Sequence, residues 1–357
     1  MVSTKQSLVN LSTFAGNRFD LVQAGGGNSS AKLDEHCMLI KASGISLAEV
    51  STDAGYVSID YSLIRKFIAD KHFSSTDRKE REILAAQLMA ESKLSSMGQP
   101  SIETFLHALL NTYTLHTHPI SVNVLTAKEN WQSELASIWP DAIFVAYHTP
   151  GIDLALALAE QIDHYQSLNG EKPKVIFLQN HGLIISSANP EEVIQLTDEV
   201  CMAIEDNLAM NLERYRHVSQ IQRLFSQLNI ENINILCNDD SVIQQQLNSE
   251  NSHANIWPFC PDTLIYCGIK PVYLSSIADV SAIKNYLDTF NEIPKVLILN
   301  QQVYFCASSL KKAKDSQDLF RFHLIVRQHS KDNIQRLTLD EIAYLSNWDA
   351  EKYRQGV

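Results

Sequence analysis

No two of the six cysteines in this 357-residue chain form a CxxC pair. Cys37, Cys201, Cys237, Cys260, Cys267 and Cys306 are scattered and give no disulfide framework. Reduced, mostly buried thiols are expected, as in a cytoplasmic protein. Basic residues are in short supply: 29 Lys and Arg face 41 Asp and Glu, for a formal net charge of -12. That balance argues against nucleic acid and anionic membranes as partners. It leaves small anionic ligands open, because a metal or a local positive group can still bind them. No uncharged apolar run is long enough to span a bilayer. The polar start, Met1 to Ser7, has no apolar core of a signal peptide. Neither a GxGxxG dinucleotide fingerprint nor a P-loop occurs.

Apolar residues make up 45% of the chain, enough to bury a sizeable core in one large domain or two ordinary ones. An opening helix is expected over residues 5 to 20, and a short strand over 38 to 42 that breaks at Ser43-Gly44. Ile83, Leu84, Leu88 and Met89 recur at helical spacing within residues 79 to 95. Ser101 reads as an N-cap for a helix from Ile102 to Asn111. Residues 113 to 118 read as a strand, and Pro119 as the start of a helix. Residues 174 to 179 form a buried-type strand, Asn180-His181-Gly182 a turn, and residues 183 to 186 a second strand. One amphipathic helix is expected from Pro190 to about Tyr215, opened by Asn189.

Composition turns polar between residues 220 and 255, and a domain boundary is placed there, giving residues 1-220 and 221-357. The second part echoes the first at a constant offset of 121 residues. Pro140-Asp141 matches Pro261-Asp262, Pro150 matches Pro271, Tyr165 matches Tyr286, and Pro173-Lys174-Val175 matches Pro294-Lys295-Val296. This ungapped match reads as a partial internal duplication. At that offset His181 falls on Gln302 and Gly182 on Val303, so the copy lacks the groups considered next.

His116 and His118 stand one residue apart. On a strand, side chains two apart face the same way and can reach one ion. His181 follows an apolar strand, and Glu103 sits at a helix start. Three neutral nitrogen ligands and a carboxylate suit zinc, or another first-row divalent ion, with a position open to substrate. A first-turn acid can also serve only the helix dipole. Gly25-Gly26-Gly27-Asn28 is a loop whose amides can approach a ligand closely. Together with Ser43, Gly44 and Ser101 it can cradle a small anion, and Lys41 can add a charge. His107 reads as packing. Tyr147 and His148 are candidates to line a cleft.

The ordered motifs GGGNSS, KASG, PSIET, HTHP and NHG resemble the class II aldolase/adducin family, closest to its longer bacterial rhamnulose-phosphate-aldolase-like members. The resemblance covers roughly residues 10 to 215. Residues from Pro261 to Trp348-Asp349-Ala350-Glu351-Lys352-Tyr353-Arg354 look like that subgroup's extension. It implies an α/β/α sandwich with a central, mainly antiparallel sheet, followed by a smaller C-terminal α/β domain. It implies zinc on His116, His118 and His181, with Glu103 as acid/base, and a homo-oligomer. It implies that Gly27, Asn28, Ser43, Gly44 and Ser101 touch the phosphate, or an equivalent anion, of a small sugar substrate. Ile102 departs from the pattern, because related enzymes carry a second serine there. A tyrosine that relatives contribute as proton donor has no clear match; Tyr113 and Tyr147 are the candidates.

The expected activity is aldol cleavage of a small sugar or sugar phosphate through an enediolate. Epimerisation or dehydration uses the same chemistry, and epimerase relatives tend to lack the glutamate. A non-catalytic adducin-like module is the third alternative, and such modules have lost the histidines. The C-terminal copy is expected to cover the metal domain or to mediate oligomer contacts.

Overall fold

A computed structural model describes residues 3–70, 76–247, 256–330 and 333–346. The Trp348–Arg354 stretch lies outside the described residues. The chain divides into two units, Met1–Leu212 and Glu213–Val357. The boundary expected near residue 220 falls inside a helix, Glu213–Gln227.

The first unit is built on seven strands: β1 (Asn28–Lys32), β2 (Cys37–Lys41), β3 (Tyr56–Asp60), β4 (Tyr113–Thr117), β5 (Ile143–Val145), β6 (Val175–Leu178) and β7 (Gly182–Ser187). They lie in the order β3-β2-β1-β4-β7-β6-β5, antiparallel throughout except for the parallel β5–β6 pair. Alternation along each strand sends side chains to two cores. Ile176, Leu178 and Ile184 pack on one face against Tyr61–Ala69, Arg78–Ser92, Thr104–Leu109 and Ile152–Asn169. Val175, Phe177, Leu183 and Ile185 pack on the other against Thr4–Gly16, Ile120–Thr126, Trp131–Ile138 and Pro190–Leu208. This is the α/β/α sandwich with a mainly antiparallel sheet.

Most elements fall where the pattern puts them, with two informative shifts. The helix over 102–111 begins only at Thr104, with Glu103 as its N-cap and no side-chain cap bond. The helix expected from Pro190 to Tyr215 stops at Leu208. Ala209 turns left-handed at φ 50°, the Met210 N–H returns to the Glu205 carbonyl, and the Leu212 N–H reaches the Glu205 carboxylate. No glycine or proline marks that stop in the sequence, because Glu205 supplies the capping acceptors. All six cysteines are unpaired. No described helix is long and apolar enough to cross a membrane.

The second unit carries β8 (Asn234–Cys237), β9 (Val272–Leu274), β10 (Val296–Leu299) and β11 (Gln302–Ala307) in the order β8-β11-β10-β9. That is the order β4-β7-β6-β5, with the same parallel pair at the same edge. The offset of 121 carries β6 onto β10, the start of β4 onto β8, and the helix Ile120–Thr126 onto Ser241–Leu247. The copy thus reaches further upstream than the sequence match, onto the strand that bears His116. It is not ungapped. Pro261 starts a helix, whereas Pro140 precedes β5. The β6–β7 link holds Gln179, Asn180 and His181, while β10–β11 is closed by Asn300 and Gln301 alone. Gly182, not His181, therefore stands where Gln302 does, and His181 is the residue the shorter hairpin lacks.

Candidate metal centre

The centre forms where four segments of the first unit meet. Asn28 begins β1 and pairs with His116 near the end of β4. His116 pairs on its other side with Ile184 of β7. His118 stands just past the end of β4, and its N–H is held by the Leu21 carbonyl at 2.8 Å. His181 sits in the hairpin ahead of β7. Glu103 caps the helix Thr104–Leu109, its own N–H meeting the Ser101 hydroxyl at 3.3 Å.

The sequence-expected group converges. His116 Nε2 lies 3.0 Å from His118 Nε2 and 3.3 Å from His181 Nε2. Glu103 Oε1 lies 3.2 Å from His116 Nε2 and 3.3 Å from His181 Nε2. All four ligand-type atoms fall within 4.8 Å of one another. Ligands 2.0–2.1 Å from a tetrahedral centre stand about 3.3–3.4 Å apart, so the spacing fits a first-row divalent cation. His116 Nδ1 is 3.0 Å from the Leu183 carbonyl, which takes the ring proton there and leaves the Nε2 lone pair facing the group. Sequence reasoning missed Leu183, since a backbone acceptor leaves no residue-type signal.

Electrostatics favour positive charge at this point. Burial alone would raise the Glu103 carboxyl, but the His116 and His181 imidazoles outweigh it and hold the group well below the usual carboxylate range. Burial would lower His116, yet Glu103 reverses the direction and raises it. Burial, with its two imidazole neighbours, pushes His118 down to about 3. The ionised Glu103 and the neutral His118 are in the states cation ligation requires, whereas His116, whose proton Glu103 favours, would have to give that proton up to the ion.

The remaining expected residues divide. Asn28 is buried, and its Nδ2 lies 3.4 Å from Glu103 Oε2. Gly27 turns at φ +74°, and a Cβ there would press on the His116 carbonyl oxygen at 2.9 Å, so only glycine brings this loop against β4. Ser43 and Gly44 form a turn beside Ser101: the Ser43 N–H meets the Gln99 carbonyl at 2.8 Å, and Ala42 bridges to Pro100. Lys41 lies within electrostatic reach of Glu103. It is buried, and its ammonium donates to the Ala42 and Ile45 carbonyls, bracing that turn. Tyr113 points to the face opposite His116, because the two differ by an odd number of strand positions. Tyr147 is exposed, and its N–H is held by the Gln179 side chain. His107 is fully buried with Nδ1 at 2.7 Å from the Ser30 hydroxyl, and burial pushes it down to about 3.

The profile of the class II aldolase and adducin N-terminal domain matches residues 6–208. The chain belongs to the class II aldolase and adducin family. Among solved structures, the N-terminal class II aldolase domain of a Thermoplasma acidophilum protein is 22% identical, covering 58% of this chain and 95% of that one at a TM-score of 0.49. An L-fuculose 1-phosphate aldolase is 17% identical, with 58% and 85% covered and a TM-score of 0.40. A sugar-phosphate aldolase from Thermotoga maritima is 15% identical, with 57% and 94% covered and a TM-score of 0.41. No curated protein matches the chain.

Proposed function

We propose that this chain is a metal-dependent aldehyde-lyase that breaks or forms a carbon–carbon bond in a small sugar or sugar phosphate. One observation carries the reading: Glu103 Oε1 stands 3.2–3.3 Å from two of three converged imidazole nitrogens, with Asn28 on its second oxygen. His116, His118 and His181 would hold a zinc ion, or another first-row divalent cation, which would supply Lewis-acid stabilisation of negative charge developing on substrate oxygen. Glu103, held ionised, takes or returns the proton at the enediolate carbon. Asn28 Nδ2 fixes the carboxylate's other oxygen, limiting its rotation. The Gly27–Asn28 loop, the Ser43–Gly44 turn and Ser101 form the substrate's polar contacts. The retained glutamate favours aldol chemistry over epimerisation, and the complete histidine set disfavours a purely structural module. A cytoplasmic homo-oligomer is the setting we infer.

Elemental analysis of the purified protein, followed by a retro-aldol assay detecting two- or three-carbon carbonyl products, tests this. We expect about one first-row divalent ion per chain and turnover that a chelator abolishes. Protein that binds no such ion and stays inactive after zinc loading overturns the reading.

A further inference from the structure

His118 lies just beyond the hydrogen bonds of the sheet. His116 is paired on both sides, with Asn28 of β1 and with Ile184 of β7. β4 ends at Thr117, and the His118 N–H meets the Leu21 carbonyl at 2.8 Å instead. Pro119 has no N–H to give, so the next donor is Ile120, and it meets the Asp20 carbonyl at 2.9 Å. Two successive carbonyls of one turn therefore hold the chain on both sides of Pro119. The same loop reaches the imidazole. A Cβ added to Gly26 would stand 2.9 Å from His118 Nδ1, so the ring rests its Nδ1 side on the loop while Nε2 faces His116.

What holds that turn is a buried ion group. The Leu21 and Val22 N–H groups both return to the Arg18 carbonyl at 3.0 Å. The Arg18 side chain is fully buried. Its Nε donates to Asp20 Oδ1 at 3.1 Å and its Nη2 to Asp20 Oδ2 at 2.5 Å. Its Nη1 reaches Asp198 Oδ1 on the helix Pro190–Leu208, and its Cζ lies 5.0 Å from the centre of the Phe14 ring. A planar fork that grips one carboxylate with two bonds and a second with a third has no equivalent in an ammonium. Buried ions are a weak source of stability, since apolar side chains of the same volume commonly do as well. What the fork supplies is a fixed distance between turn and helix. Asp20 lends its carboxylate to Arg18 and its carbonyl to Ile120, so the clamp and the metal-binding segment meet in one residue.

We infer that Arg18 is the positioning residue of His118. By clamping Asp20 to Asp198 it fixes the turn whose carbonyls place the His118 backbone, and so sets how tightly the centre holds a divalent cation. The inference rests on His118 as a ligand, as proposed for this centre, and is independent of the reaction catalysed there.

The test uses the full chain and two variants. Arg18→Lys keeps the charge and loses the fork. Asp198→Asn keeps the Arg18–Asp20 pair and loosens the turn from the helix. In each, the His118 amide should exchange with heavy water about tenfold or more faster than in wild type, while the amides within β4 keep their rates. The zinc dissociation constant, from competition with a chelator, should rise about tenfold. In a His118→Ala background the same substitutions should change it by less than about twofold, because residues that act through one contact are not additive. A general loss of stability would weaken zinc binding equally in both backgrounds and would not single out one amide. Equal weakening in both backgrounds, or a His118 amide that exchanges no faster in either variant, overturns the inference. If Arg18→Lys does not fold, Asp198→Asn carries the same comparisons. Wild-type protein that binds no zinc would count against the metal centre instead, and the exchange rates, which are read with or without an ion, would still decide the role of Arg18.

Discussion

Gly182 lies so close to Thr117 that a Cβ on it would stand 2.2 Å from the Thr117 carbonyl oxygen and 3.2 Å from His118 Cα. The obstacle is backbone, so it cannot swing aside. Only glycine lets β7 start against the end of β4, and that contact brings His181 onto His116 and His118. Gly182→Ala should push the hairpin outward, destabilise the fold by about 1–3 kcal/mol and cut metal occupancy at least tenfold. Gly25, with nothing within 4 Å of an added Cβ, provides the control. Thermal unfolding and metal content of the two alanine variants check this. Equal metal content would show that the close approach does not set the ligand geometry.

Glu103→Gln keeps the shape and removes the charge. Three imidazoles would remain to hold the ion, so metal content should change little, while kcat falls by about 10²–10⁴. The assay must report both quantities on the same preparation. Activity retained within about twofold would remove the acid/base role from this residue.

How much of this was legible beforehand depends on where each signal is written. His116, His118, His181 and Glu103 are distinctive residue types flanked by strand and turn patterns, so their convergence was legible in the chain, whereas the sandwich was legible only through the resemblance of the five ordered motifs to a known family. The burial of Lys41 and the uptake of its ammonium by the Ala42 and Ile45 carbonyls were not legible, because residue type says nothing of burial. The stop at Leu208 rests on Glu205 side-chain and backbone acceptors, which no local pattern announces. Likewise, the copy that begins at β8 shares topology and spacing with β4 but not its chemistry, since Cys237 and Asp239 replace the two histidines.

Lys32 offers a pH test away from the metal. It is half-buried beneath the end of the helix that Glu103 starts, donating to the Ala108 and Leu110 carbonyls, while Lys172 donates to Leu109. Burial, aided by the nearby Lys172 and Arg65 charges, pushes Lys32 down from 10.5 to about 7. The unfolded chain keeps that proton up to about 10.5, whereas the folded chain sheds it from about 7. Between those values the unfolded state binds more protons, so stability rises with pH, by up to about 1.4 kcal/mol per unit from this group. Below about 7 the penalty of a buried ammonium is present in full. Urea unfolding of wild type and Lys32→Met at pH 7, 8 and 9 should give a difference that moves in favour of wild type as pH rises. A difference that stays flat would mean that the two carbonyls keep the ammonium charged.

The two hairpins supply the last test. β6 and β7 are joined by Gln179-Asn180-His181, and β10 and β11 by Asn300-Gln301, each with its asparagine near φ 50°. The shorter turn closes the same pair of strands in the second unit. There Gln302 Nε2 meets the Asn238 carbonyl at 2.9 Å, and Gln317 Nε2 meets Asn238 Oδ1 at 2.8 Å. Amide hydrogen bonds thus occupy the place where the first unit gathers imidazoles. Replacing Gln179-Asn180-His181 by Asn-Gln should leave the sheet formed, because a two-residue turn with both φ values positive suits a β-hairpin's twist. Metal stoichiometry should fall below about a tenth of the wild-type value, because two imidazoles and a carboxylate bind far more weakly than the full set. Far-UV circular dichroism and metal content of this variant, beside His181→Ala, separate folding from ligation. Full metal content in the shortened hairpin would remove His181 from the ligand set, and with it the reason the longer turn exists.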